Sequence, residues 1–313
     1  MRKNLLRKIL LSVVLTGTLI GSTACGEHGT QTVPEATGEA IGGTSVPEQE
    51  TTGASQPMET ESSVSGEAEN LGDVKITLED FEGGSSPEDK ERSYTYTYQM
   101  PTVTIPGNEE AQNKIESDLT AYVEGFLNEI NNSDFGTIYE GEMTGVQSYQ
   151  DLTLQVLRAD DKVISLVWGN EGYNQGAHGW YLQSYVNYYT QTGEKITFDS
   201  LGSGFRDKAL ELVTKKAAEM QAKDDCFYPD YEKSIKMVVL DGTENMDVIY
   251  QEIYGADIAG TGNGPATPTF GVTEDGFIFE SGQYVLQPYA AGIVDFEISA
   301  AEIGDALKAD IFE

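Results

Sequence analysis

The sequence predicts an α+β fold, with mainly antiparallel sheets packed with a few helices in two small domains. Three observations carry this reading. Strand-like and helix-like patterns come in clusters, without the strict strand–helix alternation of a parallel α/β sheet. All 28 Phe and Tyr residues and both Trp lie between 81 and 313, so the material for a core is confined to that part of the chain. The span is roughly 220 to 230 residues, enough for one large domain or two small ones.

Taken in order, the chain opens on Arg2, Lys3, Arg7 and Lys8, then the apolar run "ILLSVVLTGTLI" (9–20) and the small residues "GSTAC", which end at Cys25. A basic segment, an apolar run too short to span a bilayer comfortably and a small-residue junction make residues 1–24 a signal peptide. The junction resembles a bacterial lipoprotein signal, with Ser22 where an aliphatic residue is more usual. That resemblance implies cleavage before Cys25 and a diacylglyceryl group on its thiol, anchoring the chain to the outer face of the cytoplasmic membrane. With Cys25 lipidated, Cys226 has no second cysteine to pair with, and neither a disulfide framework nor a thiolate zinc site is expected. An exported chain without disulfides fits a Gram-positive cell surface.

Residues 25–80 read as an acidic linker. Between 26 and 72 there are nine glutamates, no lysine or arginine and no aromatic residue, and the first aromatic of the whole chain is Phe81. Such a composition buries too little apolar area to offset chain entropy, and its like charges favour extension. The complete chain has 19 basic and 52 acidic residues, a net charge of −33. Residues 1–24 hold four of the basic residues and no acidic one, so removing them leaves 15 against 52, or −37. This excludes a nucleic-acid binder, which needs cationic contacts to phosphates. A basic partner would be drawn toward such a field.

Within the folded part, 91–175 and 176–313 read as two α+β domains. "SYTYTYQMPTVTIP" (93–106) alternates Tyr94, Tyr96 and Tyr98 with Thr95 and Thr97, which predicts a strand. Ala111, Ile115, Leu119, Val123, Phe126, Leu127 and Ile130 then recur at helical spacing, with Asn108 as the cap and Glu109 and Glu110 at the positive end of the dipole. Two hairpins follow, turning at Asp160–Asp161 and at Thr192–Gly193. A helix over 204–222 carries Leu210, Val213, Ala217 and Met220 on one stripe, and a shorter helix falls near 243–254. Strands return in "TPTFGVTEDGFIFE" and "AGIVDFEIS", with a final helix over 300–309.

Chemistry-bearing motifs are few. His178 is the only histidine of the folded part, too few for a histidine-based zinc hydrolase. No G-x-S-x-G elbow is present, and Cys226 lies in "DDCFYPD", whose negative charges would raise a thiol pKa. Asp and Glu are so plentiful that no carboxylate pair stands out. "GADIAGTGNGP" (255–265) lacks the lysine of a phosphate loop, and no EF-hand pattern fits. No catalytic set, metal or cofactor is therefore expected.

The segment "GAHGWYLQSYVNYYTQTGEKITFDSL" (176–201), together with "VTEDGFIFESGQYVLQPYAAGIVDFEIS" (272–299) and its "PYAAG", is similar to a widespread extracytoplasmic domain of unknown function. "YTYTYQMPTVTIPGNEEAQNKIESDL" (94–119) resembles the partner domain that usually precedes it. Together the two cover about 91–310. The pair occurs in the ectodomain of the RsiV-type anti-sigma factor, which binds lysozyme, and ahead of the catalytic domain in some peptidoglycan deacetylases. The chain departs from both: its amino terminus reads as a lipoprotein signal, and no deacetylase domain follows the pair before Glu313. What the resemblance implies is a fold and a binding role, for lysozyme or a cell-wall glycan. The alternative is a glycan-processing enzyme or an accessory to a deacetylase.

On this reading His178 pins a turn between Gly176 and Gly179, with ligand contact as its second possible role. The following strand puts Tyr181, Gln183, Tyr185, Asn187 and Tyr189 on one face and Trp180, Leu182, Val186 and Tyr188 on the other. The tyrosine-and-amide face suits a sugar or protein partner; the plainer expectation is that the 204–222 helix covers it. Ligand-binding candidates are Tyr173, His178, Tyr181, Tyr185, Tyr284 and Tyr289, in loops at 170–180, 255–268 and 281–291 and on the strand between.

Overall fold

The computed structural model of the chain describes residues 74–86, 89, 91–138, 147–255 and 265–312. The signal segment with Cys25 and the linker up to 73 therefore lie outside the described residues, as does most of the 255–265 loop. The fold class is α+β, with two sheets, and the described residues all belong to one compact unit. Among them no helix is long and apolar enough to cross a membrane.

The first sheet has the order β1 (Lys75–Gly84), β2 (Tyr94–Thr104), β3 (Ser148–Ala159), β4 (Val163–Tyr173), β5 (Trp180–Tyr189). β1 begins inside the segment assigned to the linker, which ends at residue 80, and runs on to Gly84. Its apolar residues explain why it pairs: Val74 and Ile76 are buried, and Phe81 stacks on Tyr98 with centroids 5.0 Å apart. β2 and β3 are parallel and the other neighbouring pairs antiparallel. The parallel step needs a crossover, and helix α1 (Glu109–Asn132) supplies it. Asn108 caps α1 by accepting from Ala111 N, and Ala111, Ile115, Leu119, Val123, Phe126 and Ile130 are buried. This stripe closes a core with Tyr94, Leu152, Leu166, Trp168 and Tyr188.

β4 and β5 stand on either side of the expected 175/176 boundary, yet they pair from Val163↔Tyr189 to Gly172↔Trp180. The first sheet thus continues to Tyr189. The turn at Thr192–Gly193 forms, with Gly193 at φ +65°, but the second hairpin does not: beyond it a single bridge, Tyr188↔Lys195, replaces the expected strand. The reason is local. Thr197 and Ser200 form a capping box that takes the chain into helix α2 (Phe198–Leu201).

Helices α3 (Phe205–Asp224), α4 (Tyr231–Ser234) and α5 (Met246–Tyr254) precede the second sheet, whose order is β6 (Phe270–Val272), β7 (Gly276–Ser281), β8 (Val294–Ser299), all antiparallel. Phe277, Phe279, Phe296 and Ile298 face Phe205, Leu212 and Val213 in a second core. The expected last helix is shorter. α6 (Ala300–Ile303) starts at a Ser299–Glu302 capping box and stops at Gly304, which has φ +57°, before a 3₁₀ turn.

A buried polar joint ties the sheets together. Asn187 Nδ2 donates to Phe270 O at 2.9 Å, and Asn187 Oδ1 accepts from Ser165 Oγ at 2.6 Å and from Val272 N at 3.1 Å. The registers also give the first sheet two distinct ends. Lys75, Thr104, Ala159, Val163 and Tyr189 lie at one; Gly84, Tyr94, Ser148, Tyr173 and Trp180 lie at the other.

Candidate functional site

The loop from β4 to β5 brings His178 against the 282–292 segment between β7 and β8. His178 Nδ1 is 2.7 Å from Gly179 O; a carbonyl only accepts, so Nδ1 is the donor. In the neutral ring Nε2 is then left to accept from Tyr284 OH, at 2.8 Å. Tyr289 stacks on the imidazole with centroids 3.9 Å apart and planes at 21°, and the two tyrosine rings are 5.7 Å apart. Tyr284 is 52% exposed and has φ +64°, a left-handed conformation that costs a non-glycine residue energy.

Gln283 joins this cluster to the sheet. Its Oε1 accepts from Tyr181 N at 3.1 Å on the outer edge of β5. From there a row runs along the outward face of the strand. Gln183 Nε2 donates to Tyr181 OH at 2.7 Å, Tyr185 OH lies 2.9 Å from Gln183 Oε1, and the same hydroxyl lies 3.2 Å from Glu280 Oε2 on β7. Glu280 is 3% exposed, and its partner across the β7–β8 pairing is Asp295. Burial first, then the Asp295 charge, pushes the Glu280 carboxyl up to about 8. Burial and neighbouring Glu297 raise Asp295 as well. Tyr185 is pushed up by burial and by Glu280 and Asp295.

The structure therefore gathers His178, Tyr284 and Tyr289 into one exposed cluster and links Tyr181 to it through Gln283. Tyr173 ends β4 beside Gly179, at the same end of the sheet. Tyr185 is buried, so it supports the row from beneath and is not itself a contact surface. The tyrosine-and-amide face is met by β6 and β7, rather than by the 204–222 helix. Sequence reading missed Gln183 as a link, and missed Glu280, Gln283 and Asp295 altogether. A signal existed for Glu280: it is a carboxylate in the strand "GFIFES", directly after the apolar run Phe277, Ile278 and Phe279.

Of the clefts elsewhere among the described residues, two are of note. One of about 1030 Å³ is lined by Arg158, Asp160, Lys162 and Glu274. Its buried guanidinium is committed to Asp160, Thr273 O and Ile311 O. A smaller one of about 360 Å³ lies beside Tyr122, which stacks on Trp168 at 4.9 Å. Among the described residues no three His, Cys, Asp or Glu side chains are grouped to hold a metal ion.

No protein-family profile matches the chain, and no curated protein matches it. Among solved structures, it is similar to a DUF3298 family member from Bacteroides fragilis, at 14% identity over 77% of this chain and 96% of that one, with a TM-score of 0.49. It is also similar to a DUF3298 family protein from Pseudomonas aeruginosa, at 14% identity over 76% and 96%, with a TM-score of 0.45. The function of that family is, as its designation says, unknown.

Proposed function

We propose that this chain is a cell-surface lipoprotein whose folded region is a non-catalytic binding module for a cell-wall-associated ligand, with lysozyme and cell-wall glycan as the two candidates. The observation that supports a binding role is the exposed His178–Tyr284–Tyr289 cluster, contiguous with the Tyr181–Gln183 row. Both nitrogens of the histidine ring are engaged, one by a backbone carbonyl and one by a phenol, an arrangement that holds three aromatic rings in one cluster. The lipoprotein part rests on the sequence ending at Cys25. A net charge of −33 favours a cationic partner such as lysozyme and disfavours anionic wall polymers.

The test is titration of the protein lacking residues 1–25 with lysozyme and with soluble peptidoglycan fragments, each at about 50 and 300 mM salt, because exposed charges are screened beyond about 8 Å at physiological salt. Binding that survives the higher salt and weakens in Tyr284→Ala supports the module. Loss of all binding at the higher salt leaves electrostatics alone and overturns it. Turnover of peptidoglycan or chitooligosaccharides that disappears in His178→Ala would establish the enzyme alternative instead. For attachment, Cys25→Ala should release the chain from the membrane fraction; unchanged partition would show that no lipid on that thiol holds it.

A further inference from the structure

A phenol has one hydrogen, and the Tyr185 hydroxyl faces two acceptors. It is 2.9 Å from Gln183 Oε1 and 3.2 Å from Glu280 Oε2. With the Gln183 amide oriented so that its Nε2 donates to Tyr181, both contacts are hydrogen bonds only if Glu280 supplies the second proton, as a neutral carboxylic acid. The groups that face Glu280 fit this. β5 brings Tyr185 and, through Gln183, Tyr181. β8 brings Asp295 directly across and Glu297 beyond it, and the residue before β6 brings the Thr269 carbonyl, which accepts from Glu280 N at 2.8 Å. The hydrogen bonds then all run one way. Glu280 donates to Tyr185, Tyr185 to Gln183 Oε1, and Gln183 Nε2 to Tyr181 OH, leaving the Tyr181 hydrogen to point outward. If Glu280 ionises, Tyr185 must turn its hydrogen to the carboxylate. The Gln183 amide then flips, and Tyr181 must donate inward to Gln183 Oε1, keeping only lone pairs for the outside.

Tyr181 is also placed as a platform. Its hydroxyl and Cε2 lie 3.6 and 3.7 Å from where a Cβ on Gly169 would stand, so the ring lies across the β4 backbone. Thr153 Oγ1, 2.8 Å from the same point, leaves a side chain there no room. Around it the sheet face offers exposed Thr153 and Gln155.

We propose that the outer face of β3–β5 is a subsite for a neutral, hydroxyl-rich glycan, which stacks on the Tyr181 ring and accepts the Tyr181 hydrogen, with buried Glu280 as the positioning residue that keeps this donor outward. This rests on the binding-module reading and names its ligand class. A ring face with a directed donor and flanking hydroxyl and amide groups suits a sugar, and Asp295 and Glu297 turn away anionic chains.

Chitotetraose serves as the neutral probe, titrated into the protein lacking residues 1–25 at about pH 7 and about pH 9; the donor it meets is worth about 2- to 10-fold in affinity, the range of one neutral hydrogen bond. The wild-type protein should bind more weakly by that factor at the higher pH. Glu280→Gln, which keeps a neutral donor, should bind at both with the affinity of wild type at the lower pH. Tyr181→Phe, a half-exposed change that leaves the fold alone, should be weaker throughout and flat with pH. Absence of chitotetraose binding, or a pH dependence that persists in Glu280→Gln, overturns the proposal. If lysozyme or peptidoglycan fragments bind and the sugar does not, this subsite fails while the module stands; if none of the three binds, both fail.

Discussion

Glu280 is a carboxyl group that the fold keeps protonated. In the unfolded chain it ionises near pH 4.3, give or take about half a unit, whereas burial beside Asp295 pushes it up to about 8 in the native protein. Between those values the folded state holds a proton that the unfolded state has lost. Its contribution to stability is therefore fully present at low pH and falls as pH rises through this window. Glu280→Gln lacks the slope, so the difference in unfolding free energy should move toward the variant from about pH 5 to pH 8, by at most about 1.4 kcal/mol per unit. Parallel stability curves for the two proteins would sink this expectation. Arg158 is the opposite case, a buried charge each of whose three nitrogens donates to a partner: Asp160, Thr273 O and Ile311 O. Arg158→Met strands those acceptors and should cost about 2–4 kcal/mol, read from the urea midpoint. At this scale the sequence was informative only where chemistry is local. The turn at His178 was readable from its flanking glycines. The partners of Glu280 were not, because Tyr185 comes from a strand 95 residues away and Asp295 meets it only through the register of β7 with β8.

Elements were legible in proportion to their length and to how little they owe to others. α1 was foreseen with its cap and buried face because its apolar stripe repeats over six turns' worth of sequence, give or take one. The first half of β1 reads as linker because a short alternation at the edge of an acidic stretch acquires meaning only once Phe81 finds Tyr98. The missing partner strand after Gly193 comes from a capping contact that competes with strand pairing over a few residues, and α6 stops early where Gly304 turns to a positive φ. The joint between the sheets tests the same dependence. Asn187→Leu leaves Phe270 O without its donor and Val272 N with only Ser165 Oγ. The expected cost is about 1–3 kcal/mol, with early hydrogen exchange at β6 as its local signature. Protection at β6 equal to wild type would show that the joint contributes nothing.

The two cores are not independent. Val163 belongs to the second and Ile164 to the first, although they are neighbours on β4. Neither core can be exposed without disturbing the strand that walls both, so one cooperative transition is expected despite the two-domain reading. Trp168 and Trp180 both report on the first core, and Cys226 packs on the rim of the second. Tryptophan fluorescence and thiol labelling, followed through the same denaturant series in protein lacking residues 1–25, should give one midpoint; two would mean that the lobes melt separately.

The two ends of the first sheet also decide how this molecule can be held. Val74, where the described chain begins, and Phe312, whose carbonyl accepts from Lys162 Nζ at 3.3 Å, are both at the Val163 end. His178 is at the other, separated by a strand of about ten residues, or about 33 Å. A support, dye or fusion partner joined at either of these chain ends therefore sits behind the molecule, and the aromatic cluster faces away from it. Surface-immobilised protein captured through a carboxyl-terminal tag should keep its full binding capacity, whereas biotin placed at Ala177 should abolish it.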